Sequence, residues 1–370
     1  MASRPVVPPV SLASTFAFDS IVEMADAVRD KHPHLYTRWS NPTVEAAEHE
    51  IAALEGADRA LLTASGMSAI HIALLAALGD GPGPIVALRE VYGGTHELLE
   101  AVRWPEGVEV RRVGVDDVQS VAEYLGPTTV LYLETPTNPL IRLVDVAAIR
   151  DKVPRSVRIV VDGTFASPHL CKLLGQGADL VVHSATKYLG GHHDLVAGVV
   201  SGRAPLIDAV WRWRKILGPT LDPAAAYRLW RGLQTLPLRV ERQSRTAAQL
   251  AAWLEAQPQV LTTWHPSLPS HPDHALLAAL HRDGLGGGVI SFDVGNPLTA
   301  TRIIDKLEHV AIAPSLGGTH TLIAWPAGVT HANVSEQEQV TAGIRPGLLR
   351  VAVGLEDFEV LRQDFERALA

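Results

Sequence analysis

A lysine and two hydroxyl residues follow one of the predicted buried strands of the chain. The run 179–183, centred on Leu-Val-Val, predicts this strand, and Ser184, Thr186 and Lys187 come directly after it. A lysine at the end of a strand can form an imine with an aldehyde cofactor. The two hydroxyl groups can at the same time donate hydrogen bonds to a phosphate. A lone lysine after a strand is more often a solvated loop residue. Whether Lys187 binds a cofactor must therefore be judged together with the other segments.

Three further segments carry residues that suit the same chemistry. Asp162 ends another predicted strand, where a carboxylate can pair with a protonated pyridine nitrogen and make the ring an electron sink. Gly66 and Met67 begin a helix directly after an apolar run, and the free N–H groups there favour a phosphate. Tyr36 and Arg38 lie in an arm that can reach a neighbouring subunit. Taken singly, each segment has a plain alternative: a turn aspartate, an ordinary turn before a helix, and a surface arginine.

The elements that must position these residues alternate along the chain. Asn41 caps the first predicted helix, Pro42 suits its first turn, and Gly56 ends it. Helical stretches then alternate with apolar segments at 60–64, 84–88, 108–113, 129–134, 157–162, 179–183 and 197–201. This alternation predicts a mostly parallel sheet that is covered on both faces.

The pattern changes beyond about residue 235. A long amphipathic helix at roughly 238–256 is followed by fewer strands, at 288–294, 321–325 and 348–353. We interpret this part as a smaller α+β domain. The chain therefore divides into an N-terminal arm (1–40), a large domain (41–235) and a C-terminal domain (236–370).

The composition limits the class of protein. Of the 370 residues, 47% are apolar and 19% are charged, which is typical of a globular chain. The net charge is −8 and no basic stripe is present, so we expect no nucleic-acid partner. Cys171 is the only cysteine, which excludes a disulfide framework. No apolar run approaches the roughly 20 residues of a membrane span, and residues 1–9 lack a signal-peptide pattern. We predict a cytoplasmic protein without a membrane partner.

Two other enzyme classes are weighed against this interpretation. The 16 histidines raise the alternative of a zinc enzyme, but His192 and His193 are adjacent and point different ways. The later histidines, at 265, 271, 274 and 281, lack a close pair of ligands one helical turn apart, so we predict no metal. The glycines at 286–288 do not follow a first strand and do not fit a dinucleotide-binding fingerprint.

Together these segments resemble the cystathionine γ-synthase/γ-lyase family, the Cys/Met-metabolism enzymes of fold-type I. The resemblance extends from about Tyr36 to Asp357, and its most specific part is the run HSATKY at 183–188. Further matching runs are VYGGT at 91–95, ETPTNP at 134–139, SLGG at 315–318 and LRVAVGLED at 349–357. The resemblance implies an α/β fold of the fold-type I transferase kind and pyridoxal 5'-phosphate as the cofactor.

The resemblance also implies roles for individual residues around the cofactor. Lys187 would carry it and shuttle protons, Asp162 would hold its pyridinium nitrogen, and Tyr92 would stack on its ring and act in proton transfer. Asn138 would contact the ring hydroxyl and the substrate. The phosphate would be bound by two sets of residues, one from each of two chains: Ser65, Gly66, Met67, Ser184 and Thr186 from one, and Tyr36 and Arg38 from its partner.

Substrate binding and assembly follow from the same resemblance. Arg350 would pair with the substrate carboxylate, where its planar fork suits bidentate binding, and Ser315 would position that carboxylate or Lys187. The phosphate residues contributed by a partner chain imply a homo-oligomer, with a dimer as the active unit and a tetramer as the family's usual assembly.

The reaction implied is elimination at the γ (or β) carbon of a sulfur-containing or related amino acid, as in a cystathionine γ-lyase. Replacement at the γ carbon, as in cystathionine γ-synthase or O-acylhomoserine sulfhydrylase, stays open. A third hypothesis is a non-catalytic binding protein with the same fold. The joint presence of Lys187, Asp162 and Arg350 argues against it.

Four positions depart from the family pattern. Pro314 stands where many members carry an acidic residue that can contact the distal amine of cystathionine, which disfavours that substrate. Gly94 stands where methionine γ-lyases resemble one another in having a cysteine. His193 replaces a smaller polar residue, and Trp39 is bulky beside Arg38. These differences indicate a non-standard substrate or sequence drift.

Overall fold

A computed structural model of the chain describes residues 5–29, 33–79, 81, 83–118, 120–121, 125–126, 128–329, 332 and 335–370. Residues 1–4 and 30–32 of the predicted arm lie outside the described residues.

A seven-stranded sheet dominates the first two thirds of the described chain. Its strands are β1 (Arg59–Thr63), β2 (Ile85–Leu88), β3 (Val110–Val113), β4 (Val130–Glu134), β5 (Arg158–Asp162), β6 (Leu180–His183) and β7 (Gly198–Gly202). Their order across the sheet is β1-β7-β6-β5-β4-β2-β3. The strands from β6 to β3 pair in parallel, and β7 is antiparallel to both β6 and β1. The prediction of a mostly parallel sheet is confirmed.

The sequence of the central strands explains their position. β4, β5 and β6 are runs of Val, Leu, Ile and Tyr whose residues are nearly all buried, without the alternation of a half-exposed strand. Helices cover both faces of the sheet and contribute to one continuous apolar core. Because parallel strands end at the same edge, Glu134, Asp162 and His183 reach the carboxyl edge of the sheet together.

The first helix of the described residues is α1 (Ile21–Arg29). The next helices are α2 (Pro42–Glu55), α3 (Gly66–Leu78), α4 (Gly93–Ala101), α5 (Val146–Lys152), α6 (Ser167–Leu170), α7 (Ala204–Leu217) and α8 (Pro223–Leu233). The cap expected at Asn41 is present, since its side chain accepts from the N–H of Thr43 and Gly56 ends α2 with a φ of 70°. The arm contains a helix that was not predicted, since α1 forms there with Ser20 Oγ accepting from the N–H of Glu23.

A second sheet lies in the later part of the chain. It comprises β8 (Thr262–Trp264), β9 (Val289–Asp293), β10 (Ala311–Ile312), β11 (Leu322–Ala324) and β12 (Leu348–Ala352), in the order β10-β11-β12-β9-β8. The helices of this region are α9 (Leu236–Glu255), α10 (His274–Leu280), α11 (Pro297–Lys306), α12 (Glu336–Thr341) and α13 (Phe358–Leu369). The short strands β8 and β10 were not expected, because two or three residues carry no readable period. The division of the chain into an arm and two domains stays a prediction.

Candidate functional site

A cavity of about 650 Å³ opens at the carboxyl edge of the large sheet. It lies between this edge and the segment from Pro314 to Leu316, and Arg350 of β12 also lines it. Ligand pockets at the ends of parallel strands are common in α/β folds. The predicted site residues that line it are Ser65, Gly66, Met67, Tyr92, Asn138, Asp162, Ser184, Thr186, Lys187, Ser315 and Arg350.

The beginning of α3 forms one wall of the cavity. A Cβ atom added to Gly66 would lie 2.8 Å from Ser184 Cβ, so only glycine allows this close approach of α3 to the end of β6. Ser65 caps the helix, since its Oγ accepts from the N–H of Ser68 at 3.1 Å. The first N–H groups of a helix have no partner within it, so those of Gly66 and Met67 can face an anion.

Lys187 projects into the cavity from the turn after β6. Its Nζ donates a hydrogen bond to Ser315 Oγ at 2.8 Å. Burial, and then the charge of Arg350, lower the pKa of Lys187 to about 8. The neighbouring Thr186 hydroxyl both accepts from the N–H of Ala197 at 3.0 Å and donates to its carbonyl at 3.2 Å, which fixes the turn. The amine can therefore act as a base near neutral pH.

Asp162 ends β5 at the floor of the cavity. One of its carboxylate oxygens accepts from the N–H of Thr164 at 2.8 Å. Burial raises the pKa of Asp162, while the hydrogen bonds from Thr164 and the attraction of His183 oppose that rise. His183 is itself hydrogen-bonded to the buried carboxylate of Glu55. A cationic group placed at Asp162 would stabilise its ionised form.

Arg350 is buried at the opposite wall. Its guanidinium donates to Asn138 Oδ1 at 2.9 Å and to the carbonyl of Ser315 at 3.3 Å. Its Nε has no hydrogen-bond partner within the described part of the chain. Burial lowers the pKa of Arg350 to about 10, so it remains charged at neutral pH. A buried cation with an unused donor suits a carboxylate ligand.

Tyr92 lies at the cavity mouth, directly before α4. Its side chain is 45% exposed, and its backbone N–H donates to Glu134 Oε2 at 2.9 Å. Glu134 begins the ETPTNP run that resembles the family, but it was not predicted as a site residue. It could have been found, because it ends β4 in register with Asp162 on β5. Burial, and then the charge of Asp162, raise the pKa of Glu134 to about 8.

Tyr36 and Arg38 are the predicted site residues that do not line this cavity. The Arg38 guanidinium instead donates to the carbonyl of Lys215 and lies 5.5 Å from the ring centre of Tyr36. Trp39 packs edge-on against Trp211. The structure therefore does not bring Tyr36 and Arg38 to Lys187 of the same chain, and their role toward a partner chain stays a prediction.

Two of the four departures from the family pattern line the cavity, and two, His193 and Trp39, do not. Pro314 and Gly94 lie on its wall. His193 is exposed, lies outside the cavity lining and has a φ of 57°.

Two further features bear on the predicted absences. Across the described residues, one group of three side chains could hold a metal ion, namely His96, Glu100 and Glu338, which lie near Arg112. The search of the same residues finds no helix with the length and apolar character that crossing a bilayer requires.

Comparison with known proteins places this site in a family. The sequence model of the family described as Cys/Met metabolism PLP-dependent enzyme matches residues 2–370. The chain is 40% identical over 361 residues to O-succinylhomoserine sulfhydrylase of Pseudomonas aeruginosa, covering 96% of this chain and 89% of that one. It is 38% identical over 371 residues to L-methionine gamma-lyase of Pseudomonas deceptionensis, covering 98% and 92%. It is also 38% identical over 370 residues to cystathionine gamma-synthase 1, chloroplastic, of Arabidopsis thaliana. That match covers 98% of this chain but spans only 65% of the Arabidopsis protein.

Two solved structures are similar in fold to this chain over nearly its whole length. Cystathionine gamma synthase from Xanthomonas oryzae pv. oryzae, in complex with aminoacrylate and cysteine, has a TM-score of 0.91 and 34% identity, covering 98% of this chain and 92% of that one. A structure from Campylobacter jejuni, described as an O-acetylhomoserine (thiol)-lyase with pyridoxyl-lysine phosphate, has a TM-score of 0.93 and 27% identity, covering 99% and 96%. Since the family match extends over nearly its whole length, the chain belongs to the Cys/Met metabolism family of PLP-dependent enzymes, and its cofactor is pyridoxal phosphate.

Proposed function

We propose that this protein catalyses elimination at the γ (or β) carbon of a sulfur-containing or related amino acid, in the manner of a cystathionine γ-lyase. The observation that carries the proposal is the pairing of Lys187 with Ser315 in the same cavity as a buried Arg350. A reaction at the Cα of an amino acid requires a base that removes the proton and a cationic group that binds the carboxylate. Both groups line this cavity.

The residues of the cavity fit pyridoxal phosphate. The close approach of Gly66 to Ser184 leaves backbone N–H groups and a hydroxyl for a phosphate, and Asp162 offers a buried carboxylate for the ring nitrogen. Tyr92 lies where it can cover the ring, and Asn138 can contact the ring hydroxyl. When bound, the cofactor supplies an aldehyde for amines and a ring that stores the electron pair left at the substrate Cα.

Lys187 is proposed to move the protons. With a pKa of about 8, about a tenth of its amine is neutral at pH 7, which suffices for a base that acts near neutral pH. Ser315 Oγ holds the amine by its hydrogen bond, so Lys187 can take a proton from the substrate Cα and return it at a neighbouring carbon. Burial keeps competing water away from the amine.

Arg350 is proposed to orient the substrate. Its guanidinium is fixed by Asn138 and by the carbonyl of Ser315, so the fork has one defined direction. A carboxylate bound by the remaining N–H donors of the guanidinium would hold the Cα–H bond of the substrate toward Lys187.

The proposed assembly is a homodimer as the active unit, with a tetramer above it. Support comes from the position of Tyr36 and Arg38 outside this chain's own cavity, where they are available to the phosphate site of a partner. The cytoplasmic location also remains a proposal, since it rests on the sequence features alone.

A second candidate is replacement at the γ carbon. It is favoured by the similarity to a sulfhydrylase and to a γ-synthase, and by a cavity large enough for an amino acid and a thiol beside the cofactor. Elimination and replacement use the same groups on this chain and differ in whether water or a thiol completes the reaction.

One experiment tests both candidates. The purified protein is given cystathionine, homocysteine, methionine, cysteine or O-acetylhomoserine, the last with and without a thiol, while its visible spectrum and keto-acid release are followed. A spectral change with release of 2-oxobutanoate or pyruvate supports elimination. A change that yields product only with a thiol supports replacement. No visible band after addition of pyridoxal phosphate would refute the proposed function.

A further inference from the structure

Glu134 is a buried acidic side chain of the cavity for which the reaction described above has no use. It is 5% exposed, lines the cavity and lies on β4 directly beside Asp162 of β5, which is 9% exposed. Two carboxylates are thus placed at one end of neighbouring strands in a largely apolar surrounding. Such a pair repels when both members are charged.

The hydrogen bonds of Glu134 connect it to the mouth of the cavity. Its Oε2 accepts from the backbone N–H of Tyr92 at 2.9 Å, and its Oε1 accepts from the Tyr132 hydroxyl at 3.2 Å. Glu134 and Tyr92 are 42 residues apart in the chain. This contact therefore fixes where the Tyr92 backbone leaves the sheet and enters α4.

We propose that Glu134 is a positioning residue that holds Tyr92 over the cofactor site and gives up a proton to solvent when the cofactor's cationic ring nitrogen binds beside Asp162. The inference rests on the proposed cofactor site and goes beyond the proposed reaction. According to this inference, binding of the cofactor is accompanied by release of a proton from Glu134.

The charges around Glu134 set the direction of this linkage. Before the cofactor binds, burial and the neighbouring Asp162 keep the pKa of Glu134 at about 8, so the carboxyl is mostly protonated at neutral pH. The other ionisable groups near it are Tyr132 on the same strand and Arg112 on β3. Tyr92 contributes its backbone N–H, and the hydroxyl of Thr95 also favours the ionised form. A cation at Asp162 reduces the repulsion between the two carboxylates and so favours the ionised form of Glu134.

Linkage gives the expected pH dependence. Because the bound state holds fewer protons on Glu134 than the free state, affinity for the cofactor rises with pH until the free carboxyl is itself ionised. The contribution of Glu134 is at most about tenfold in affinity per pH unit, and it levels off above about pH 8.

The test is the dissociation constant of pyridoxal phosphate for the cofactor-free full chain, measured from pH 6 to 9 for the wild type and for Glu134→Gln. Ionisation of Lys187 and of the cofactor affects both proteins alike and cancels in the ratio of the two constants. The glutamine keeps an oxygen for the Tyr92 N–H but cannot ionise. We expect the dissociation constant of Glu134→Gln divided by that of the wild type to be within about twofold of one at pH 6. This ratio should rise with pH and level off above about pH 8. A ratio that stays constant would overturn the linkage.

Two further variants separate positioning from charge. Glu134→Leu offers no acceptor to the Tyr92 N–H, so it should bind the cofactor more weakly than Glu134→Gln at every pH, and equal binding would overturn the positioning role. Tyr132→Phe removes a donor that favours ionised Glu134, so the levelling of the wild-type profile should move to higher pH. An unmoved profile would count against the linkage even if the other variants fold poorly.

A matched control is Glu100→Gln, which removes the same charge from an exposed position on α4 outside the cavity. It should reproduce the wild-type profile. If the wild type binds and turns over substrate but the ratio for Glu134→Gln is flat, only this inference fails. If the wild type does not bind pyridoxal phosphate, the proposed function fails first.

Discussion

Arg350→Lys is the substitution that most directly tests the proposed carboxylate clamp. Lysine keeps the positive charge but replaces a planar fork of donors with one flexible head. In the structure the fork is held by Asn138 at 2.9 Å and by the carbonyl of Ser315 at 3.3 Å, and the side chain is only 4% exposed. A lysine at this position cannot make both of these contacts and also bind a carboxylate through two donors.

The expected size of the effect follows from the lost bonds. A hydrogen bond to a charged group contributes about 1.5–3 kcal/mol, and water cannot replace it in a buried wall. Loss of one such bond to the substrate corresponds to a decrease in kcat/KM of roughly 10- to 150-fold. Binding of the cofactor should be largely preserved, because Asn138 is the only one of the residues proposed to hold it that is hydrogen-bonded to Arg350 in the described part of the chain.

The assay compares kcat/KM for the best substrate with the absorbance of bound cofactor in the same preparation. Arg345→Lys is the matched control, since Arg345 is half exposed, pairs with Asp293 at 3.1 Å and lies outside the cavity. Its kcat/KM should change by no more than about twofold. A fully loaded Arg350→Lys enzyme with the wild-type kcat/KM would refute the clamp.

Three other predictions follow from single side chains. Lys187→Ala should bind pyridoxal phosphate without a covalent bond, seen as a protein mass that borohydride reduction before denaturation leaves unchanged but raises in the wild type, and undiminished turnover would refute the mechanism. Pro314→Glu should raise the kcat/KM ratio of cystathionine over methionine about tenfold by giving the distal amine a partner, whereas Pro314→Gln should raise it less; equal effects would contradict the electrostatic reason. Burial lowers the pKa of His265 to about 4. Between about pH 4 and pH 6.5, His265 is therefore neutral in the folded chain but protonated in the unfolded chain. The free energy of unfolding should therefore fall by about 3 kcal/mol in all as pH falls from 6.5 to 4. Denaturation with urea should show a smaller pH slope for His265→Gln, and an identical slope would contradict this account.

The parts of the fold that the sequence predicted are those set by local signals. The seven strands of the large sheet were expected close to their observed bounds. The signal is clearest for β2, β4, β5 and β6, which are buried and largely apolar, and weakest for β3, which is Val-Arg-Arg-Val without a buried residue. Lys187 and Asp162 were found because each follows or ends such a run, and the ends of parallel strands share one edge. Gly66 was found because a strand turns directly into a helix there.

The parts that the sequence did not predict depend on contacts between distant segments. Arg350 and Asn138 are 212 residues apart, so nothing local indicates that one orients the other. The protonation of Glu134 likewise depends on burial and on Asp162, which lies on the neighbouring strand. The helix α1 and the strands β8 and β10 are short or exposed, and their local patterns are too weak to read.

Access at the cavity mouth, rather than the groups that move protons, is expected to decide between elimination and replacement. Val196 and Val329 line the cavity but are 62% and 53% exposed, so apolar surface surrounds the opening in the single chain. A partner chain that brings Tyr36 and Arg38 to the phosphate would cover part of this surface. Because water must reach the same opening to complete an elimination, we infer that the residues around the opening control which nucleophile enters. Val196→Ser in the assembled enzyme should then change the ratio of keto acid to thiol adduct, while the order of substrate preference should not change.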